Sequence, residues 1–291
     1  MTALLRSDGY HLLGVQRSGP ADITRYQEVE NLLRDFHPDE IYYLAGYHHS
    51  SEGLPNGDIL QLYQRSHEIH VSSLIHFLEG MRLRCPAARL FYAASSLIFA
   101  NGPGGIQNEQ TPLNPKGVYG ITKAAGLLMC REYRTAHHLF VSTGILYNHE
   151  SPLRRDDFIS KKIVLAAIAA EKGRTTPLEI GNLEAETDWG YAPDYVDAMH
   201  RILLLPAADE FIIATGEKHS VLDFVKAAFA AVGIDWKGRV VEKPGLLQRK
   251  SPVLIGDSGK LRRATGWKPS VTFEEMVRAL IEGTKALQHG Q

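Results

Sequence analysis

Runs of apolar, β-branched and aromatic residues alternate along the first half of the chain with stretches of helical periodicity. The apolar runs predict buried strands over residues 11–17, 40–46, 89–95 and 139–147. Helical spacing predicts helices over residues 26–36, 68–83 and 119–136. Strands that alternate with helices are typical of a parallel sheet covered on both faces. The pattern therefore predicts an α/β fold of the doubly wound, Rossmann type.

Beyond residue 150 the alternation becomes less regular. We predict helices over residues 159–172, 193–205 and 272–287, a short strand over 176–181 and a strand–helix pair over 211–232. This less regular alternation of strands and helices suggests a large domain over residues 1–150 and a smaller one over 151–291. Some strands and helices of the second part are expected to return to the first.

The beginning of the chain departs from the doubly wound pattern. There the first strand is central, and the turn after it carries the glycine-rich phosphate-binding segment. This chain opens on a helix-like run over residues 1–7 that leads to the strand beginning at His11. We therefore predict an incomplete sheet in which the first strand and its turn are missing. A truncated or misassigned start explains this better than a natural loss, which would leave two strand edges unpaired inside the protein.

Composition narrows the class of protein. The chain is 44% hydrophobic and 22% charged with a formal net charge of −1, which is ordinary for a globular protein and favours neither nucleic acid nor a membrane surface as partner. Its two cysteines, Cys85 and Cys130, are too few for a disulfide framework and fit a reducing compartment. With neither a membrane-spanning run nor a leader segment, we expect a cytoplasmic protein.

The strongest chemical signal is the pair Tyr119 and Lys123, with Ser95 at the end of a predicted buried strand. Residues four apart share one face of a helix. A cation beside a phenol lowers its pKa, so that the phenolate can take a proton from a substrate hydroxyl. The serine hydroxyl can hydrogen-bond the same substrate oxygen. The three residues are therefore candidates for general acid–base catalysis.

Several segments resemble the extended short-chain dehydrogenase/reductases, in particular the GDP-mannose 4,6-dehydratase type. The matching segments are RLFYAASS (89–96), EQTPLNP (109–115), YGITK (119–123), GILYNHESP (144–152), FISKKI (158–163), GNLEAETDWG (181–190) and GWKP (266–269). The resemblance implies an incomplete dinucleotide-binding domain over residues 1–150 and a mainly sugar-nucleotide-binding domain over 151–291. It also implies a nucleotide-sugar substrate, most readily GDP-linked, and a homo-oligomer that is a dimer or a tetramer.

The resemblance assigns roles to individual positions. Ser95, Tyr119 and Lys123 fall on the family's catalytic residues, where Tyr119 would act at the C4 hydroxyl and Lys123 would also bind the nicotinamide ribose. The further positions implied to bind NADP, or NAD, are Arg17, Asp22, Ala45 and Gly46. A cation such as Arg17 after the second strand favours the 2′-phosphate of NADP; the alternative is a solvated strand end. The positions implied to bind substrate are Asn148, Lys162 and Arg249.

Two residues depart from the dehydratase pattern. Leu97 stands where the family carries a glutamate that removes the C5 proton, and Thr187 stands where it carries an arginine. A leucine has no proton to exchange, and a threonine cannot replace the bidentate contact of an arginine with phosphate.

Three functions therefore remain open. The first is a dehydratase that oxidises C4, removes water across C5–C6 and returns hydride to C6. The second is an NAD(P)-dependent C4 reductase or epimerase, which needs no C5 base. The third, if the start is genuine, is a non-catalytic nucleotide-sugar-binding protein. We expect no metal site, because His48 and His49 offer no third ligand.

Overall fold

The computed structural model describes residues 1–16, 19–47, 59–99, 105–243 and 254–289. The helices are α1 (Thr2–Ser7), α2 (Tyr26–Phe36), α3 (Ile59–His67), α4 (Ser73–Arg84), α5 (Gly117–Ala136), α6 (Ile159–Glu171), α7 (Ala192–Leu203), α8 (Val221–Ala231), α9 (Gly259–Thr265) and α10 (Phe273–His289). The strands are β1 (Glu40–Tyr43), β2 (Arg89–Ser95), β3 (Ile106–Gln107), β4 (Phe140–Leu146), β5 (Asn148–Glu150), β6 (Leu178–Ile180), β7 (Glu186–Thr187), β8 (Trp189–Tyr191), β9 (Glu210–Ile213), β10 (His219–Ser220), β11 (Val240–Glu242) and β12 (Ile255–Gly256).

The main sheet has four parallel strands in the order β1-β2-β4-β9. Because side chains alternate along a strand, β2 presents Leu90 and Tyr92 to one face and Phe91 to the other. The first face packs against α2, α4 and α5, and the second against α7 and α9. This confirms the predicted α/β fold with a parallel sheet covered on both sides.

Most predicted elements are present with small changes at their ends. The helix over 26–36 and the strand over 89–95 are confirmed with the predicted bounds. The predicted strand over 40–46 ends at Tyr43, because the chain after it turns away from β2. The predicted helix over 68–83 becomes a longer run, in which the π-turn Glu68–Ser72 joins α3 to α4.

The predicted strand over 11–17 is wrong for residues 11–16, which lie outside any helix or strand, while residue 17 lies outside the described residues. A strand forms only beside a hydrogen-bonding neighbour. Among the described residues the sheet places β1 at its edge, with β2 as the strand it pairs with. The ring of His11 instead packs against Phe36 of α2, with ring centroids 5.4 Å apart.

Residues beyond 150 serve two parts of the molecule. The helices α6, α8 and α10 pack around β6 and β11 in a separate apolar cluster that includes Val164, Phe224 and Leu280. In the same half of the sequence, β9, α7 and α9 belong to the main sheet and its second face. Among the described residues, no helix combines the length and the apolar character needed to cross a bilayer.

The Asp188-Trp189-Gly190 segment joins these two parts. The carboxylate of Asp188 is fully buried and accepts hydrogen bonds from Thr215 N (3.0 Å), Thr215 Oγ1 (2.6 Å) and Gly216 N (2.9 Å). Its neighbour Trp189 packs edge-on against Phe224 at 5.1 Å. The segment therefore fixes the loop that follows β9 against the helical cluster.

Gly126 lets α5 approach the π-turn and the sheet closely. A Cβ atom built at this position would lie 2.2 Å from the hydroxyl oxygen of Tyr92 and 2.8 Å from the backbone oxygen of His70. Tyr92 is fully buried, so neither neighbour has room to move away.

We therefore expect Gly126→Ala to lower the free energy of unfolding by about 1–3 kcal/mol, the usual cost of overpacking a core. Urea denaturation would measure the change. Gly14→Ala is the matched control, because no atom lies within 4 Å of a Cβ built there. Equal stability of the two variants would contradict the close approach.

Candidate active site

The carboxyl ends of three parallel strands meet at one edge of the sheet. Ala45 and Gly46 follow β1, and Ser95 is the last residue of β2. Asn148, the first residue of β5, comes two residues after the end of β4. In open parallel sheets, ligands bind outside this edge. The structure therefore brings most of the predicted site residues to the end of the sheet where binding is expected.

Tyr119 and Ser95 meet at this edge. Tyr119 lies in the first turn of α5, which begins at Gly117 with a φ of 71°. The Ser95 side chain lies close enough to the Tyr119 phenol to lower its pKa. The Ser95 hydroxyl also accepts from the backbone N–H of Leu97 at 3.3 Å, because Ser95 caps the short 3₁₀ turn Ser96–Ile98. Both predicted hydroxyl groups therefore face one place.

Lys123 lies one helical turn after Tyr119 and is only 2% exposed. Its Nζ donates to the backbone oxygens of Ala93 at 2.8 Å and of Ala45 at 3.3 Å. Burial lowers the pKa of Lys123 to about 7, since the two partners are carbonyl dipoles rather than a carboxylate. The ammonium thus connects α5 to the ends of both β1 and β2.

The electrostatic environment of Tyr119 differs from the sequence expectation. Burial raises the pKa of Tyr119 to about 12, while the nearby Ser95 side chain and the positive charge of Arg154 act in the opposite direction. The Nζ of Lys123 lies 5.9 Å from the centre of the Tyr119 ring and is directed to carbonyl oxygens. The predicted lowering of the phenol pKa by Lys123 is therefore not what this structure shows.

The predicted cofactor-binding residues lie in different surroundings. A Cβ atom built at Gly46 would lie 3.9 Å from the Nζ of Lys123, so this part of the loop borders the candidate site directly. Asp22 is exposed, and its carboxylate accepts from the hydroxyl of Thr24 at 2.7 Å, which is the main reason why its pKa is lowered. Arg17 lies outside the described residues.

His70 is a site residue that the sequence analysis missed. It is fully buried in the π-turn, accepts a hydrogen bond from the backbone N–H of Tyr47 at 2.8 Å, and meets the Tyr119 ring edge-on at 5.2 Å. A single histidine inside a predicted helix carries no signal of this kind. Only the inserted residue of the π-turn directs the side chain toward the active-site helix.

Two of the predicted substrate residues lie on β5 and α6. The side-chain nitrogen of Asn148 donates to the hydroxyl of Thr187 at 3.3 Å, so the position where the family carries an arginine is next to Asn148. Lys162 lies on α6 and borders a cleft of about 310 Å³. The cleft combines cationic and apolar side chains, among them Lys162, Arg174, Leu178, Phe229 and Arg239. Arg249 lies outside the described residues.

Leu97 stands beside the catalytic candidates, at the position where the family carries a carboxylate. It lies in the 3₁₀ turn Ser96–Ile98 and is 37% exposed. Neither neighbour in that turn can act as a carboxylate base. Within the described ranges, no group of three or more His, Cys, Asp or Glu side chains is arranged to bind a metal ion, and His48 and His49 fall outside those ranges.

The lowered pKa of Lys123 predicts a pH dependence of stability. An unfolded lysine titrates near pH 10.4, so between about pH 7 and that value the unfolded chain binds more protons than the folded one. The contribution of Lys123 to the free energy of unfolding therefore rises with pH, by roughly 1 kcal/mol per unit. We expect urea denaturation between pH 7 and 9 to show this rise in the wild type and not in Lys123→Met.

Lys172→Met is the control, because Lys172 is exposed and should leave the slope unchanged. Parallel stability curves for the wild type and Lys123→Met would contradict the assignment.

Comparisons with known proteins identify the family of this chain. Residues 9–280 match the family model described as GDP-mannose 4,6 dehydratase. GDP-mannose 4,6 dehydratase 1 of Arabidopsis thaliana is 32% identical over 90% of this chain and 72% of its own length. The human GDP-mannose 4,6 dehydratase is 28% identical over 96% of this chain and 78% of its own length.

Solved structures share the fold at lower identity. The RMD of Pseudomonas aeruginosa, solved in complex with NADPH, has a TM-score of 0.84 at 17% identity and covers 98% of this chain and 95% of its own. The UDP-glucose 4-epimerase of Thermotoga maritima, solved with UDP-glucose, has a TM-score of 0.82 at 16% identity. The match covers 99% of this chain and 94% of the epimerase chain. The family match extends over nearly the whole chain, so this protein belongs to the GDP-mannose 4,6-dehydratase family.

Proposed function

We propose that the protein is a nucleotide-sugar 4,6-dehydratase that uses NADP, or NAD, and acts on a GDP-linked sugar in the cytoplasm. The observation that carries the proposal is the approach of the Ser95 side chain to the phenol of Tyr119, with the buried side chain of Lys123 one turn away. Family membership supports the reaction class, because the relatives are named as GDP-mannose dehydratases. The NADPH complex of a protein with the same fold supports the cofactor.

The roles of the three residues follow from their positions. Tyr119 exchanges a proton with the C4 hydroxyl, and Ser95 donates or accepts a hydrogen bond at the same oxygen. Lys123 offers its ammonium to ribose hydroxyls beside Gly46, where the backbone carries no side chain to block the approach. Bound NADP supplies the redox chemistry of the reaction. Asp22 and Arg17 would face the adenosine end.

Substrate binding is proposed for the part of the chain that follows β4. Asn148 and Lys162 would bind the diphosphate together with Arg249, and Arg154 lies close enough to Tyr119 to influence its pKa. The mixed cationic and apolar cleft bordered by Lys162 suits a planar base attached to a negative phosphate group.

We also propose how the chain is divided into domains. Residues 1–150 form a cofactor-binding domain, and residues 151–291 form a mainly substrate-binding domain.

Association into a homodimer or tetramer is also proposed. Helices α3 and α5 expose large apolar side chains, among them Ile59 (74%), Leu60 (59%) and Leu128 (45%). Exposed apolar groups on helices that touch each other form a surface suited to a second copy.

Incubation of the protein with GDP-mannose and NADP tests the proposed reaction. Mass spectrometry should detect a product that has lost one water. Tyr119→Phe should lower the rate by on the order of 10²–10⁴-fold, because the phenol that exchanges the proton is gone. Unchanged GDP-mannose in the wild-type reaction would contradict the proposal, and binding without turnover would favour a non-catalytic nucleotide-sugar-binding protein.

Leu97 favours a second candidate function, an NAD(P)-dependent C4 reductase or epimerase of a nucleotide sugar. Such a reaction uses Ser95, Tyr119 and Lys123 but removes no proton from C5. Consumption of NADPH with a 4-keto nucleotide sugar would distinguish it from dehydration.

Leu97→Glu is expected to raise the rate of water loss by at least about 10²-fold, since it supplies a general base at the position where the family carries one. The product is measured by mass spectrometry as above, and Leu97→Gln is the control of similar size without a carboxylate. A wild type that dehydrates as fast as Leu97→Glu would show that Leu97 does not limit the reaction.

A further inference from the structure

The π-turn between α3 and α4 is packed tightly against the active-site helix. The hydroxyl of Tyr43 donates to the backbone oxygen of Ile69, and the backbone of His70 lies against Gly126 of α5. The side chain of His70 is fully buried between these elements. Its ring is therefore held inside the protein core.

The hydrogen bonds of His70 determine which ring nitrogen carries the proton. The backbone N–H of Tyr47 can only donate, so Nε2 of His70, 2.8 Å away, must accept. The hydrogen then resides on Nδ1, which lies 2.7 Å from the hydroxyl oxygen of Thr122. That hydroxyl has one proton of its own, which it donates to the backbone oxygen of Val118 at 2.8 Å. These three hydrogen bonds are satisfied by a neutral imidazole with its hydrogen on Nδ1.

The same imidazole lies between the loop after β1 and the catalytic turn of α5. A Cβ atom built at Gly46 would lie 3.9 Å from Nε2 of His70 and 3.9 Å from Nζ of Lys123. On the helix side, His70 meets the ring of Tyr119 at 90° with centroids 5.2 Å apart. The loop residues 45–47 are thus bound by two groups, Lys123 at the oxygen of Ala45 and His70 at the nitrogen of Tyr47.

We propose that His70 is a positioning residue that keeps the loop 45–47 in register with Tyr119 and Lys123. Its ring meets the edge of the Tyr119 ring, so it would act on the reaction through Tyr119 and the loop. Without it, the loop would lose the 2.8 Å hydrogen bond at the nitrogen of Tyr47, and one edge of the Tyr119 ring would lose a neighbouring group. Displacing catalytic groups by about 1 Å can cost on the order of 10²-fold in rate. The kinetic part of this proposal rests on the proposed function.

Two substitutions separate the hydrogen bond from the volume of the ring. His70→Gln places an amide oxygen near the position of Nε2, where it can accept from Tyr47 N–H, whereas His70→Leu fills space without accepting. Hydrogen exchange at the Tyr47 amide should be slow in the wild type and in His70→Gln and fast in His70→Leu. This measurement needs neither cofactor nor turnover.

Kinetics provide the second measurement. We expect His70→Leu to lower kcat by on the order of 10²-fold while KM for GDP-mannose changes by less than about 3-fold, because the proposed diphosphate contacts lie elsewhere. His70→Gln should recover most of the lost kcat. If His70→Leu does not fold, as judged by near-ultraviolet circular dichroism, Thr122→Val tests the other hydrogen bond and should lower kcat by about 10-fold.

The outcomes are distinct. An unprotected Tyr47 amide in the wild type, or equal protection in His70→Leu, overturns the proposal. So does a loss in His70→Leu that appears in KM rather than in kcat, or that His70→Gln fails to recover. A wild-type protein without turnover contradicts the proposed function instead. Hydrogen exchange at the Tyr47 amide then still tests the role of His70.

Discussion

The buried ammonium of Lys123 connects the parts of the molecule that the candidate site requires. Its two bonds to the carbonyl oxygens of Ala93 and Ala45 link α5 to the ends of neighbouring parallel strands. A charge without a carboxylate partner is costly to bury, and the lowered pKa of Lys123 is the measure of that cost. The rest of the fold must therefore be stable enough to tolerate this charge, and the large apolar clusters on the two faces of the sheet provide that stability.

The packing around Lys123 explains why the site is built from three separate segments. Ser95 is placed by the end of β2, Tyr119 by the first turn of α5, and Gly46 by the loop after β1. Ser95 is at the end of a strand and Tyr119 is near the start of a helix, where fewer backbone hydrogen bonds hold the chain. The hydrogen bonds of Lys123 and His70 link these segments to one another. Asp188 performs a comparable structural task for the loop after β9, with backbone N–H donors in place of carbonyl acceptors.

The sequence predicted the fold and the catalytic candidates because both have local signals. The helix over 26–36 and the strand over 89–95 follow from the period of their apolar residues, and the pair Tyr119 and Lys123 follows from helical spacing. Two features had no such signal. The run over 11–16 has the composition of a strand, but a strand also needs a neighbour, which composition does not reveal. His70 depends on a single inserted residue in a helix, and the periodic pattern is almost unchanged by it.

Close contact at Gly126 also constrains how this protein can change. Because a side chain at position 126 would overlap the hydroxyl of Tyr92 and the backbone of the π-turn, the three positions are not independent. A smaller residue at position 92, accepted first, would relieve the overlap with the Tyr92 hydroxyl before a larger residue appears at 126, yet that first step would leave a cavity under the active-site helix. The order of substitutions is thus restricted by geometry. In evolutionary terms, α5, β2 and the π-turn form one epistatic unit.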